Sequence, residues 1–388
     1  MNAWLALVAF IFAAAALGET PEIDPNNEVS PSAAASTSSD PSAAPLINQQ
    51  AFYVIFDYQV NNQSFPGAVC QNDGEGEQGG LCVYNMDSTY KNGIIIAQPM
   101  NMTTTMTDKM RSTIPGSKIF AYWCIEFIPI YTDECSTGHI MGDRDGRNCS
   151  TTYKCTDGQT PEFNRLVNDA FPKSMAKRQL VAGMPPALVC GYKGQATYVM
   201  TEASAESLAK MLSSVVLAGN FDGIYLDGYL NPSTYKAPKF AEGTRYDFNG
   251  DGQPDSPEDV VAQYKTYTPM FVQRLRDLMG PSKLIIANSA GANPDPNLNG
   301  LTIEMEACLD YDECTSALIE NEQKGAKPTT SALWLTHSEA MTADEQCQTA
   351  AKIQAQLPYV QVGTDFFDGS AIKCTNVVAA AAAAAAAT

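Results

Sequence analysis

Short apolar segments alternate with amphipathic segments through the centre of the chain, and the apolar segments have the length of β-strands. Several of them, such as IIIA at 94–97 and LIIAN at 284–288, are apolar at almost every position. That pattern is typical of strands covered on both faces of a parallel sheet. The sequence predicts nine such strands: Phe52–Phe56, Gly93–Ala97, Lys118–Cys124, Leu180–Cys190, Phe221–Asp227, Lys283–Asn288, Leu301–Glu306, Ala332–Thr336 and Tyr359–Gly363.

Helices are predicted between these strands from helical apolar spacing and capping residues. The clearest runs from Ser256, an N-cap followed by a first-turn proline, to the closing Gly280. Further helices are predicted to begin near Thr160, Thr201 and Thr342. The last of these starts with a capping-box pattern.

Repeated alternation of strand and helix predicts parallel strands joined by right-handed crossovers, an α/β architecture. The candidates are a closed (β/α)8 TIM-type barrel and an open doubly wound sheet. No G-x-G-x-x-G or Walker-type loop occurs in the sequence, so the barrel is favoured. Because nine strands exceed eight, we expect one outside the barrel, and Leu180–Cys190, interrupted by Pro185 and Pro186, is the weakest candidate.

The two ends of the chain differ in composition from its centre. Residues 1–18 read as a cleaved secretory signal peptide, with a retained anchor as the alternative. Residues 19–48 are rich in Ser, Ala and Pro and predict a disordered spacer. The barrel is predicted over residues 49–376, and the Ala-rich residues 377–388 predict a frayed tail or, less favoured, a lipid-anchor signal. We expect a secreted protein without stable membrane insertion.

Cysteine content supports export, since most of the eleven cysteines are expected to form disulfides in long barrel loops. Sequence proximity suggests pairing of Cys70 with Cys82 and of Cys308 with Cys314, and a local set of Cys135, Cys149 and Cys155. Connectivity stays open at this point. Zinc is not expected, because there are only two histidines and no two Cys-x-x-Cys steps.

Surface chemistry excludes one class of partner. The net charge is −19 and basic residues are not clustered, which argues against binding to nucleic acid. Three N-x-S/T sequons, at Asn62, Asn101 and Asn148, predict a glycoprotein.

A twelve-residue acidic loop, DFNGDGQPDSPE at 247–258, has the oxygen-ligand spacing of an EF-hand loop, with Gly252 at the sharp turn. The expected Ca²⁺ ligands are Asp247, Asn249, Asp251, Gln253 (through its backbone carbonyl), Asp255 and Glu258. Pro254 stands where paired EF-hands carry an aliphatic residue, so we predict a single structural calcium. The alternative is an acidic turn without metal. No catalytic cofactor is expected.

Polar side chains end three consecutive predicted strands. In FDGIYLDGY at 221–229, side-chain alternation puts Asp227 at the mouth if the apolar residues beside it face the helices. Asn288 ends the next strand, and Glu304 and Glu306 share a face of the following one. Two carboxyl groups from different strand ends suit glycosidic cleavage, in which one protonates the leaving oxygen and the other attacks or activates water. A single such acid is more commonly a cap or an ion-pair partner; the set of three favours a site.

The segments FDGIYLDGY, YDFNGDGQPD, LRDLMGPSKLIIANSAG and LNGLTIEME, spread over residues 221–306, together resemble a family of bacterial glycoside hydrolase-like proteins with a TIM-barrel fold. They are more distantly similar to endo-α-1,4-polygalactosaminidase-like barrels. The resemblance implies that Asp227 and Glu304 are the catalytic pair and that Asn288 orients the substrate. The cysteine-rich first half of the chain departs from the family pattern.

Other residues are expected to bind substrate beside the acids. Asp57 and Glu306 lie near strand ends, and the aromatic rings of Tyr229 and Trp123 could stack on a sugar, although aromatic residues on strands are more commonly core. The leading hypothesis is a secreted hydrolase that cleaves an extracellular polysaccharide with two carboxylates. The alternatives are an inactive barrel that serves as a carbohydrate-binding or matrix protein, and a different carboxylate-dependent hydrolase.

Overall fold

The computed structural model of the chain describes the segments that form the strands, the helices and their immediate connections. These are residues 51–54, 68–70, 82–84, 92–97, 104–125, 127–128, 178–180, 187–188, 196–197, 200–229, 245–247, 249, 251–288, 295–304, 311–335, 341–365 and 374. The predicted signal peptide, spacer, Ala-rich tail, sequons and helix after Thr160 lie outside the described residues.

Eight parallel strands close into a barrel, which confirms the predicted fold class. They are β1 (Ala51–Val54), β2 (Ile94–Ala97), β3 (Lys118–Cys124), β4 (Gly223–Asp227), β5 (Leu284–Asn288), β6 (Gly300–Glu304), β7 (Ala332–Leu335) and β8 (Gln361–Asp365). Each strand pairs with the next along the chain, and β8 pairs with β1 to complete the ring. The open sheet is thereby excluded.

Helices follow five of the strands within the described residues. They are α1 (Thr104–Thr113), α2 (Glu202–Ala218), α3 (Pro257–Met279), α4 (Tyr311–Lys324) and α5 (Ala343–Gln356). Capping boxes at Thr201, Ser256 and Thr342 satisfy N–H groups in the first turns of α2, α3 and α5. Three helix starts predicted from sequence are therefore confirmed.

Side-chain alternation along the strands divides the core into two layers. Ile94, Phe120, Tyr225, Ile286 and Trp334 belong to one cluster that fills the barrel interior. The intervening strand residues pack outward against the helices, as expected for strands covered on both faces. The layer to which a residue belongs thus decides whether it can reach the barrel mouth.

The weakest strand prediction lies outside the barrel, as expected from its two prolines. Arg178–Leu180 pairs antiparallel with Ala187–Leu188 and with Arg245–Asp247 in a small separate sheet. Two further antiparallel pairs are short, Ala68–Cys70 with Cys82–Tyr84 and Phe127–Ile128 with Ala196–Thr197.

One disulfide, between Cys347 of α5 and Cys374, was not suggested by sequence proximity, because 27 positions separate the two cysteines. Cys314 is also disulfide-bonded, and its predicted partner Cys308 lies outside the described residues, as do Cys135, Cys149 and Cys155. Cys70 and Cys82 are register partners in their hairpin. None of the described helices is long and apolar enough to cross a bilayer.

Candidate active site

The polar ends of β4, β5 and β6 meet at the carboxyl-terminal rim of the barrel. The Asn288 side-chain amide donates hydrogen bonds to Asp227 Oδ1 at 3.0 Å and to Glu304 Oε1 at 2.9 Å. Because both bonds share the Asn288 nitrogen, Asp227 Oδ1 and Glu304 Oε1 are at most 5.9 Å apart. All three side chains are part exposed, so they lie at the surface of the rim and remain accessible to solvent.

Asp227 is held by donors on both of its oxygens. The Tyr122 hydroxyl donates to Oδ2 at 2.6 Å, while the Gly228 N–H and the Asn288 amide donate to Oδ1 at 2.9 and 3.0 Å. Gly228 has a φ of 67°, which lets the chain turn sharply at the end of β4 and aim its N–H back at the carboxylate. Because each of these hydrogen bonds is directional, the three donors together fix the orientation of the Asp227 carboxyl group.

Aromatic side chains form the floor beneath the acids. Tyr225 stacks on Tyr122, with ring centroids 5.9 Å apart, and makes an edge contact with Trp334 at 6.3 Å. Burial raises the pKa of the Tyr225 phenol, and the Asp227 and Glu304 carboxylates raise it further, so this hydroxyl stays protonated. The floor is therefore neutral as well as apolar.

Trp123 is not positioned to bind substrate, contrary to the sequence prediction. Only 4% of it is exposed, and it packs in the layer between the barrel and the helices. Its register partner on β4 is Leu226, which also faces outward, whereas Tyr122 pairs with the inward Tyr225. Alternation along β3 shows only that Tyr122 and Trp123 face opposite sides, and the structure assigns Trp123, with Ile119 and Ala121, to the outer layer and Tyr122 to the inner one.

Tyr229 is a second wrong assignment among the predicted substrate-binding residues. It is fully buried in the outer layer, and its hydroxyl lies 3.4 Å from Asp295 Oδ2. Burial, followed by the charge of Asp295, raises the pKa of its phenol. Strict alternation from Asp227 would place Tyr229 inward, but the turn at Gly228 breaks that alternation. Asp57 and Glu306 lie outside the described residues, and their predicted roles stay predictions.

The predicted calcium loop folds back on itself between Arg245–Asp247 and α3. Asp247 is 2% exposed and accepts the Gly252 N–H at 2.9 Å, and Gly252 has a φ of 81° at the sharp turn. Asn249 Oδ1 accepts the N–H of Asp251, whose own carboxylate accepts the N–H of Gln253. These short-range hydrogen bonds hold the loop backbone in a series of tight turns.

The ligand side chains of the loop partly bond to one another. The Asn249 amide donates to Asp255 Oδ1 at 3.0 Å, and the Asn249 N–H donates to Asp255 Oδ2 at 3.1 Å. Glu258 is exposed in the first turn of α3. Within the described residues, no three His, Cys, Asp or Glu side chains converge on one point. The donor types fit a hard cation, whereas the carboxylates are not gathered around one.

No family model and no curated protein sequence matches the chain. Forty-seven chains of solved structures do match. Ega3 of Aspergillus fumigatus, in complex with galactosamine, is 11% identical with a TM-score of 0.37, over 82% of this chain and 91% of that one.

Two further matches carry glycoside hydrolase names. The glycoside hydrolase domain of a PelA variant from Pseudomonas aeruginosa is 10% identical with a TM-score of 0.36, over 72% of this chain and 90% of that one. A GH18 chitinase from Pseudoalteromonas aurantia is 11% identical with a TM-score of 0.34, over 75% and 91%. Glycoside hydrolases, the class that residues 221–306 resemble, are thus among the structural neighbours.

Proposed function

We propose that this protein is a glycoside hydrolase that cleaves a polysaccharide with Asp227 and Glu304 as its two catalytic carboxyl groups. The observation that carries the proposal is the Asn288 amide, which lies within hydrogen-bonding distance of both acids. The acids come from β4 and β6 and share the rim where (β/α)8 barrels carry out their chemistry.

Hydrogen bonding suggests how the two roles divide. Asp227 accepts hydrogen bonds from three donors, which hold its carboxyl group in a fixed orientation, as a nucleophile requires. Glu304 is then the residue that protonates the glycosidic oxygen and afterwards activates water.

The spacing of the acids suggests the stereochemical outcome. An upper limit of 5.9 Å between the bridged oxygens is compatible with the close spacing of retaining enzymes, whose carboxyl groups are roughly 5–5.5 Å apart. The two N–H bonds of a planar amide diverge by roughly 120°, which corresponds to a separation of about 5 Å, as in retaining enzymes. We therefore expect retention through a glycosyl-enzyme intermediate on Asp227.

The test is hydrolysis of a panel of purified polysaccharides, followed by new reducing ends, with wild type, Asp227→Asn and Glu304→Gln. We expect both variants to bind but to lose at least about 100-fold in rate. Asp277→Asn is the matched control, because Asp277 is on α3 and contacts only Gln273 among the described side-chain hydrogen bonds. Turnover that survives both active-site substitutions would exclude the proposed mechanism. Binding without turnover by wild type would favour the carbohydrate-binding alternative.

We also propose that the loop at 247–258 binds one structural Ca²⁺. The nearly buried Asp247, the Asx-type turns and the positive φ of Gly252 support this. Binding would require the Asp251, Asp255 and Glu258 carboxylates to turn toward Asp247. We expect EDTA to lower the melting temperature and Ca²⁺ to restore it in wild type but not in Asp247→Asn. A melting temperature unaffected by EDTA, with no calcium by elemental analysis, would exclude the site.

Export is proposed on two grounds. Residues 1–18 have the composition of a cleaved signal peptide, and the buried Cys347–Cys374 disulfide suits an oxidising compartment. Mass spectrometry of protein from the culture medium should find a mature amino terminus near Glu19. Protein retained in cells with an intact Met1 terminus would contradict export.

A further inference from the structure

Asn288 occupies the middle of the three site strands. It ends β5, whose neighbours β4 and β6 end in Asp227 and Glu304. Its side-chain nitrogen lies 3.0 Å from Asp227 Oδ1 and 2.9 Å from Glu304 Oε1. The residue is therefore placed to act on both acids together.

Counting donors limits what else this amide can do. A primary amide nitrogen carries two N–H groups, and a carboxylate oxygen is available for each of them. If the side-chain amide were rotated by about 180°, its oxygen would face two carboxylate oxygens, which also accept hydrogen bonds. Only the amide nitrogen can therefore bond to both carboxylates. When both carboxylates are ionised, no side-chain N–H of Asn288 remains for a substrate hydroxyl.

We propose that Asn288 is a positioning residue that fixes the separation of the two carboxyl groups, and that it does not bind substrate through its N–H groups. This inference rests on the proposed function for its catalytic meaning. Two carboxylates within 5.9 Å repel one another, and the N–H groups between them offset that repulsion.

Other groups around the pair leave this compensation in place. Two strands contribute titratable groups beside the pair. On β3, Tyr122 donates to Asp227, and Cys124 is the register partner of Asp227. On β4, the protonated Tyr225 lies beneath both acids. Without the amide, the pair should reduce its repulsion by keeping one proton or by moving apart.

The decisive experiment is a pH titration of the carboxyl groups by ¹³C NMR in wild type and Asn288→Leu, a substitution of similar size without a donor. We expect the variant pair to keep a proton to a higher pH than the wild-type pair, because the N–H groups between the two carboxyl groups are missing. In its crystal structure the two acids should be further apart. Asn297→Leu is the control, since among the described hydrogen bonds the Asn297 side chain donates to Gln273 and to neither acid. Unchanged titration and spacing in a folded Asn288→Leu would overturn the proposal.

A measurement on wild type covers the case in which Asn288→Leu does not fold. The two side-chain amide protons of Asn288 should both change chemical shift as the carboxyl groups titrate, and both should exchange slowly with water. Asn288 amide protons whose chemical shifts do not change as the carboxyl groups titrate would overturn the proposal. These measurements need no substrate, so a protein without hydrolase activity would contradict the proposed function while leaving the role of Asn288 to be decided by NMR.

Discussion

Arg276, in the last turn of α3, joins the helix to the base of two strands of the candidate site. Its guanidinium donates to the backbone carbonyls of Gly280, Lys283 and Asn297 and to the side-chain oxygen of Asn299. These oxygens belong to the end of α3, the entry into β5 and the entry into β6. We predict that replacing Arg276 by Met, which keeps most of the aliphatic stem, destabilises the barrel markedly.

The size of the effect follows from the acceptors. Asn299 is fully buried, whereas Gly280, Lys283 and Asn297 are part exposed, so water can replace some of the lost bonds. A hydrogen bond to a charged group contributes about 1.5–3 kcal/mol. If one bond to each of two of the four acceptors is not replaced, the sum is about 3–6 kcal/mol, and because neighbouring bonds are not additive we expect a loss of about 3–4 kcal/mol.

Urea unfolding followed by circular dichroism measures this loss. Arg274→Met is the matched control: Arg274 is two residues earlier on α3 and pairs with Glu206 at 2.8 Å on the surface, where such a pair contributes about 1 kcal/mol or less. We expect Arg276→Met to unfold at a clearly lower urea concentration than Arg274→Met. Equal midpoints with equal slopes would refute the reasoning that this guanidinium holds the strand entries together.

Three further predictions concern stability. Replacing Cys347 and Cys374 together by Ala opens a 27-residue loop and should cost about 3.5 kcal/mol, measured by urea unfolding; a cost below 1 kcal/mol would contradict it. Gly223→Ala should prevent β4 from pairing normally, because the new Cβ would lie 2.0 Å from a carbonyl oxygen of β5, so soluble yield should fall sharply, and wild-type yield and stability would contradict this. Thr342→Ala should cost about 1 kcal/mol at neutral pH. The Thr342 backbone N–H, followed by the Thr342 hydroxyl, lowers the pKa of Glu345, and the variant loses only the hydroxyl. The share contributed by that hydroxyl is present above the ordinary pKa of Glu and is lost as pH falls, so the difference from wild type should narrow slightly below about pH 4, and a difference that widens there would contradict the linkage.

Local pattern determined much of the fold. The apolar strands at 94–97 and 284–288 and the caps at Thr201, Ser256 and Thr342 are signalled within a few residues, because burial on both faces and the unsatisfied N–H groups of a helix start impose local requirements. The polar ends of β4, β5 and β6 were predicted in the same way, since parallel strands bring their carboxyl ends to one rim.

Contacts between residues far apart in the sequence could not be predicted from local patterns. The Cys347–Cys374 disulfide depends on how α5 packs, and the closure of β8 on β1 joins strands roughly 310 positions apart. Proximity in sequence suggested other cysteine pairs, because it carries no information about which loops the barrel brings together.

For this protein the sequence by itself predicted the eight barrel strands, the helix starts at Thr201, Ser256 and Thr342 and the three polar strand ends, because each depends on local periodicity or capping. It favoured a closed barrel without excluding an open sheet, and it did not predict α1 or α4. Only the tertiary structure decided that Tyr122 faces the interior in place of Trp123, that Tyr229 leaves it after Gly228, and that one amide bridges two acids. The reason is physical: register across the closed sheet assigns each side chain to a layer, and hydrogen bonds of this kind depend on distances of a few tenths of an ångström between segments far apart in the chain.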